Sequence, residues 1–217
     1  MVKQAVTRLA SPTRRSPGEA RRLVIASAQE LFATNGYSGT STRQIAEHAG
    51  VNYSILYRNF GTKANLFDLA VVEPVRQFLS RYIEQWADHT ELARPADIPA
   101  RAFIGGLYDV LRENRTLVMA LVSAHAFEAD AFDQEQPPAP LAELLAGLSD
   151  FVAAAAERNG FTWLDPAVAI RFTIGLVLSV AVLDDWLFPA QDRALGRDDF
   201  VEEMVQFVLH GIAHPRT

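Results

Sequence analysis

The sequence predicts an all-α protein, with a small N-terminal three-helix domain followed by a larger C-terminal helical one. Three observations carry that prediction. Apolar residues recur at helical spacing, and no alternating run demands a strand over a helix. Capping residues and proline or glycine punctuation stand between the apolar runs. Nearly half of the 217 residues are hydrophobic, enough for a sizeable core.

The elements follow in order. Residues 1–15, with Lys3, Arg8, Arg14 and Arg15 among Ser, Thr and Pro, form a flexible basic arm without the apolar run of a signal peptide. Such an arm either does nothing or follows a phosphate backbone or minor groove. Ser16-Pro17-Gly18-Glu19 gives a cap, a first-turn proline and a glutamate three after the cap. The helix it opens carries Val24, Ala28 and Leu31 on one face and stops at Asn35-Gly36. Ser41 caps a second helix with Gln44 completing a capping box, and Gly50 ends it. Asn52 caps a third. Ile45, Ala46, Val51, Leu56 and Phe60 form the apolar seam that would lock these two short helices at a fixed angle, the pattern of a helix-turn-helix. Thr62 caps a long helix from Lys63 to about Trp86, where Pro74 should kink or break it. The loop at 87–97 leads to helices at about 98–112 and 116–128, the connector DQEQPPAP follows, and further helices run at about 141–158, 166–186 and 198–212. The total is nine.

A helix-turn-helix exists to put its second helix in the DNA major groove. Tyr53 and Ser54, in the first turn of that helix, are the candidates for base-edge contact, with Arg43 and Gln44 nearby and Ser41 and Asn52 at the caps. Tyr53 could instead pack on the head's own surface, and Arg58 reads as a solvated charge. Tyr57 should face the backbone and reach a phosphate oxygen. Lys63 places a cation in the first turn of a helix, against the macrodipole, unless an anion such as a DNA phosphate sits there.

The stretch VIASAQELFATNGYSGTSTRQIAEHAGVNYSILYRNFGTKANLFDLAV resembles the DNA-binding domain of the tetracycline-repressor (TetR) family of one-component regulators. The resemblance covers roughly the first third of the chain and places phosphate contacts at Tyr57 and Lys63. With the flexible arm at 1–15 set aside, it implies a helix-turn-helix DNA-binding domain at 16–63 and a helical effector-binding and dimerisation domain at 64–217.

Charge points the same way on its own. Residues 1–63 hold nine Lys and Arg against three Asp and Glu, while the rest holds eleven against twenty-three. A basic segment on an acidic body is the footprint of a DNA reader whose other domain does something else. Cysteine is absent, which excludes disulfides and thiolate metal sites and suits a reducing cytoplasm. His48 has no second ligand at metal spacing, and His125, Asp184 and Asp185 lack any nucleophile-base-orienter arrangement. No catalytic residue, metal or cofactor is therefore assigned, and an enzyme is not expected. The apolar run at 167–188 is interrupted by Arg171, Asp184 and Asp185, so it reads as a buried helix and not a membrane span.

For the body, the resemblance implies a pocket for a small, largely apolar effector. Its candidate lining is Phe78, Trp86, Phe103, Leu107, Met119, Ser123, Phe127, Phe172 and Trp186, residues that taken singly read as core. His125 is either a satisfied core histidine or a ligand contact. Helices 166–186 and 198–212, apolar beyond what one small domain can cover, should pair with their copies in a homodimer. Two-fold symmetry then calls for a palindromic double-stranded operator. The expected function is a transcriptional regulator, a repressor released from DNA by its effector. The alternative is a ligand-independent dimeric DNA-binding protein that recruits or excludes partners.

Overall fold

The computed structural model describes residues 16–86, 95, 97–127, 139–158, 165–188 and 195–213. The basic arm, most of the 87–97 loop, Glu128 and the start of the DQEQPPAP connector lie outside the described residues. Among the described residues there are nine helices and no strand: α1 Pro17–Asn35, α2 Thr42–His48, α3 Tyr53–Phe60, α4 Lys63–Trp86, α5 Asp97–Glu113, α6 Arg115–Phe127, α7 Ala139–Arg158, α8 Pro166–Leu187 and α9 Arg197–Ala213. The last two residues of DQEQPPAP join α7. Pro140 stands in its first turn, where a missing N–H costs nothing.

Local chemistry explains the boundaries. Ser16 Oγ accepts from the Glu19 N–H at 3.2 Å and opens α1, while Gly36, at φ 72°, closes it. Asp165 Oδ1 accepts from the Ala167 and Val168 N–H groups at the start of α8.

Two hydrophobic clusters form, and α4 runs through both. The first packs Val24, Phe32, Ile45, Leu56 and Phe60 of α1–α3 against Leu66, Phe67, Ala70 and Val71 of α4, with Leu117 and Ala124 of α6 closing it. The second gathers Leu79, Tyr82 and Trp86 of α4 with Phe103, Ile104 and Leu107 of α5, Leu148 of α7, Val177 and Ala181 of α8, and Met204 and Val205 of α9. Pro74 lies where α4 crosses from one cluster to the other. The helix runs through the proline instead of breaking. The Ala70 carbonyl, which the N–H of an ordinary residue at 74 would bond, accepts instead from Gln29 Nε2 of α1 at 3.0 Å.

α8 is bent at Leu183, whose φ of −110° and ψ of 17° leave the helical region. Two arginines from the α5–α6 turn clasp the bend. Arg112 Nη1 donates to the Ala181 carbonyl and pairs with Asp184, and Arg115 donates to the Val182 carbonyl through Nε and to Asp185 through Nη1. With mean hydropathy 2.1, α8 is long and apolar enough to cross a membrane by length and composition alone, and only a third of its most apolar window is buried within the chain.

Candidate nucleic-acid interface

The two short helices are fixed by their own ends. Gln44 Oε1 accepts from both the N–H and the hydroxyl of Ser41 at 2.8 Å, and Ser41 Oγ accepts from the Gln44 N–H at 3.2 Å, so the capping box is complete. At the other end of α2, Gly50 at φ 60° allows Val51 N–H to reach Ala46 O and Gly50 N–H to reach Glu47 O, the paired bonds of a Schellman turn. Asn52 Oδ1 then accepts from the N–H and the hydroxyl of Ser54 at 2.9 and 2.8 Å and starts α3. Ile45, Ala46, Leu56 and Phe60 are buried as the seam requires, and Val51 is half-buried.

These caps divide the eight candidate DNA-binding residues. The acceptor oxygens of Ser41, Gln44 and Asn52 and the hydroxyl hydrogen of Ser54 are spent inside the protein. Arg43, Tyr53 and Tyr57 stand outward. Tyr57 is 61% exposed, its ring centroid is 6.5 Å from that of Tyr53, and the Arg43 guanidinium lies 5.9 Å from the Tyr53 ring. The result is a continuous aromatic and cationic ridge from α2 along α3, able to stack, donate hydrogen bonds and attract phosphate. Arg58 is exposed, and His48, also exposed, has Nε2 3.8 Å from Glu30 Oε2. Among the described residues no His, Cys, Asp or Glu group could hold a metal ion.

Lys63 sits in the first turn of α4, where Thr62 Oγ1 accepts from the Asn65 N–H at 3.1 Å. Its ammonium is 4.0 Å from the centroid of the Tyr37 ring, which packs on Phe67 in the head cluster. The aromatic face offsets part of the dipole penalty and holds the cation at the edge of the head. Sequence reasoning missed Tyr37 and Thr40. The Thr40 hydroxyl, 2% exposed, lies 3.1 Å from Leu31 O and 2.9 Å from Gly36 O and so fixes the turn that delivers Ser41. The turn-forming run Asn35-Gly36-Tyr37-Ser38-Gly39 was the available signal.

The nine candidate effector-lining residues are not brought together. Trp86, Phe103 and Leu107 belong to the body cluster, with Phe78 and Met119 packed against it. Ser123 is exposed, and Phe127, Phe172 and Trp186 are 85, 75 and 76% exposed, so these four line no interior within one chain. Two aromatics that the lining lacked complete the inner group: Tyr82 lies 5.3 Å from Phe103 and 5.5 Å from Phe151, centroid to centroid. Burial pushes the Tyr82 phenol up, and its hydroxyl donates to Pro99 O. The Trp86 indole N–H is buried with no hydrogen-bond partner among the described residues. A recess of about 230 Å3 opens elsewhere, lined among others by Tyr108, Arg112, Asp184, Phe188 and Phe200. None of the nine borders it. His125 Nε2 lies 3.4 Å from Asp68 Oδ1 of α4, a half-buried pairing between helices.

Residues 24–70 match the family model described as bacterial regulatory proteins, tetR family. The chain is 29% identical over 197 residues to the HTH-type transcriptional activator FasR of Mycolicibacterium smegmatis, covering 90% of this chain and 84% of that protein. It is 34% identical over 122 residues to an HTH-type transcriptional repressor of Mycobacterium tuberculosis, covering 55% of this chain and 57% of that one. Its fold is similar to that of the transcriptional regulator FadR of Bacillus subtilis, solved in complex with stearoyl-CoA, with a TM-score of 0.63 at 19% identity over 88% of this chain and 98% of that chain.

Proposed function

We propose, for a chain that is a transcriptional regulator of TetR type, that it works as a homodimer which grips a palindromic operator and releases it when a small, largely apolar effector enters the helical body. The observation that carries the DNA half is the outward ridge of Arg43, Tyr53 and Tyr57 on a hairpin whose ends are fixed by the caps at Ser41 and Asn52. In this reading α3 lies in the major groove with Arg43 and Tyr53 at base edges, while Tyr57 and Lys63 take phosphates. Ser41, Gln44, Asn52 and Ser54 hold the hairpin and still offer amide or hydroxyl groups at its rim.

The effector half rests on the inner aromatic group of Phe78, Tyr82, Trp86, Phe103 and Phe151, where the Trp86 indole N–H has no acceptor among the described residues. A hydrocarbon body with one carbonyl or carboxylate answers both features. Residues 16–63 are assigned as the reading head, and 64–217 as the effector and dimer domain. The setting is the cytoplasm, where the DNA is. Repression by occlusion is the sense adopted, since a dimer covering its operator needs no further surface to block transcription.

The test is selection of bound duplexes from a random library, followed by titration of the complex with stearoyl-CoA and with a free long-chain fatty acid. A palindromic consensus, lost on adding one of these probes, is the expected result. Selection without a consensus would overturn the regulator reading. Saturable probe binding that leaves DNA affinity unchanged would favour the ligand-independent protein.

A further inference from the structure

The joint between the two hydrophobic clusters is built from Ala70 and Pro74, one turn apart on α4, and from Gln29 of α1, far from both in sequence. Ala70 is fully buried in the last α4 turn of the head cluster, and Val75 begins the part of α4 that packs on the body cluster. Pro74 stands between them and has no N–H to give to the Ala70 carbonyl four residues back. A buried carbonyl left open would bear its full desolvation penalty. Gln29 of α1 answers it, with Nε2 3.0 Å from Ala70 O. On the exposed side the same turn is braced by Glu73, which accepts from Arg76 Nε and Nη2 and from Gln77 Nε2. The helix is thus locally weakened at the crossing, and the replacement bond comes from the reading head and not from the helix itself.

We infer that Gln29 is a positioning residue for operator binding: by completing the hydrogen bonding that Pro74 leaves undone, it ties α1 to the joint of α4 and sets the pitch of the head against the body. In a dimer the bodies are held together, so this pitch fixes the separation of the two heads and hence the fit to a palindrome. The inference rests on the dimeric regulator reading. A head whose Gln29 bond is broken keeps its own DNA-facing side chains, because Gln29 belongs to neither α2 nor α3. What it loses is a defined angle.

The experiment compares wild type, Gln29→Met, Gln29→Glu, Pro74→Ala and the double variant Gln29→Met/Pro74→Ala, each checked for wild-type helicity. Each is titrated with the palindromic duplex selected by wild type and with a duplex holding a single half-site. Gln29→Met should weaken palindrome binding by about tenfold while half-site binding stays within about twofold. Gln29→Glu, which sets an acceptor against the carbonyl, should weaken palindrome binding further. The double variant should recover the affinity of Pro74→Ala, because an alanine at 74 restores the backbone donor to Ala70 O. Equal losses on palindrome and half-site, no loss in Gln29→Met, or no recovery in the double variant would each overturn the inference. A wild-type protein that selects no sequence would instead overturn the regulator reading on which it stands.

Discussion

In the proposed reading Lys63 holds two roles. Its charge opposes the α4 dipole, the Tyr37 ring offsets part of that, and a bound phosphate would remove the rest. Lys63→Ala should therefore weaken binding to specific and unrelated duplexes alike and reduce the salt slope by about one unit, as measured by fluorescence anisotropy across salt concentrations. The folded protein should lose no more than about 1 kcal/mol, the worth of an exposed cation–π contact. Asp68 makes a different prediction. Burial holds its carboxyl above the ordinary 3.8, outweighing the lowering by His125. The folded state thus disfavours the ionised form, and the associated stability is complete below that ordinary value and lost as pH rises through the folded one. Asp68→Asn, which keeps an oxygen toward His125, should melt above wild type at pH 7, and the two curves should converge below about pH 4.

Helices differ in how much of their role is written locally. The caps at Ser16, Ser41, Asn52 and Thr62 were legible because each bond spans two or three residues, and the reading head followed from them. What joins distant segments was not legible. Nothing near Arg112 or Arg115 announces that they clasp a bend in α8 some seventy residues on, and nothing near Pro74 points to Gln29. Phe172 and Trp186 entered the candidate pocket because a helix apolar on most sides gives no sign of which face meets its own chain. Between α4 and α5 the packing is close enough to be tested directly. A Cβ added at Gly106 would run into the Phe78 ring. Gly106→Ala should displace that ring from Phe103 and Tyr82, with overpacking of about 1–3 kcal/mol exceeding the gain of about 1 kcal/mol in helix propensity. Thermal melting should fall by a few degrees.

At the scale of the whole molecule, the last two helices each leave large apolar side chains exposed. Val168 and Phe172 lie one turn apart on α8, and Phe207, 71% exposed, lies on α9 with Gly211 one turn on. Two copies of that pair of helices would cover them in an intersubunit four-helix bundle. Wild type should sediment as a dimer and Phe172→Glu with Phe207→Glu as a monomer, and the double variant should bind a palindrome no better than a half-site. A double variant that remained dimeric would move the interface elsewhere.

The sharing of α4 and α6 between the two hydrophobic clusters bears on how the chain comes apart. Leu117 and Ala124 of α6 complete the head cluster while Val118, beside Leu117, belongs to the body cluster. Neither cluster can open without exposing apolar surface on a helix that the other needs, so both should melt as one cooperative unit. Calorimetry should give a single transition, and amide protons of α1 should exchange nearly as slowly as those of α5. The segment 16–63 on its own lacks the α4 and α6 residues that close its core, and should stay unfolded in water. Heat or denaturant would then abolish DNA recognition at the same point at which it empties the interior of the body.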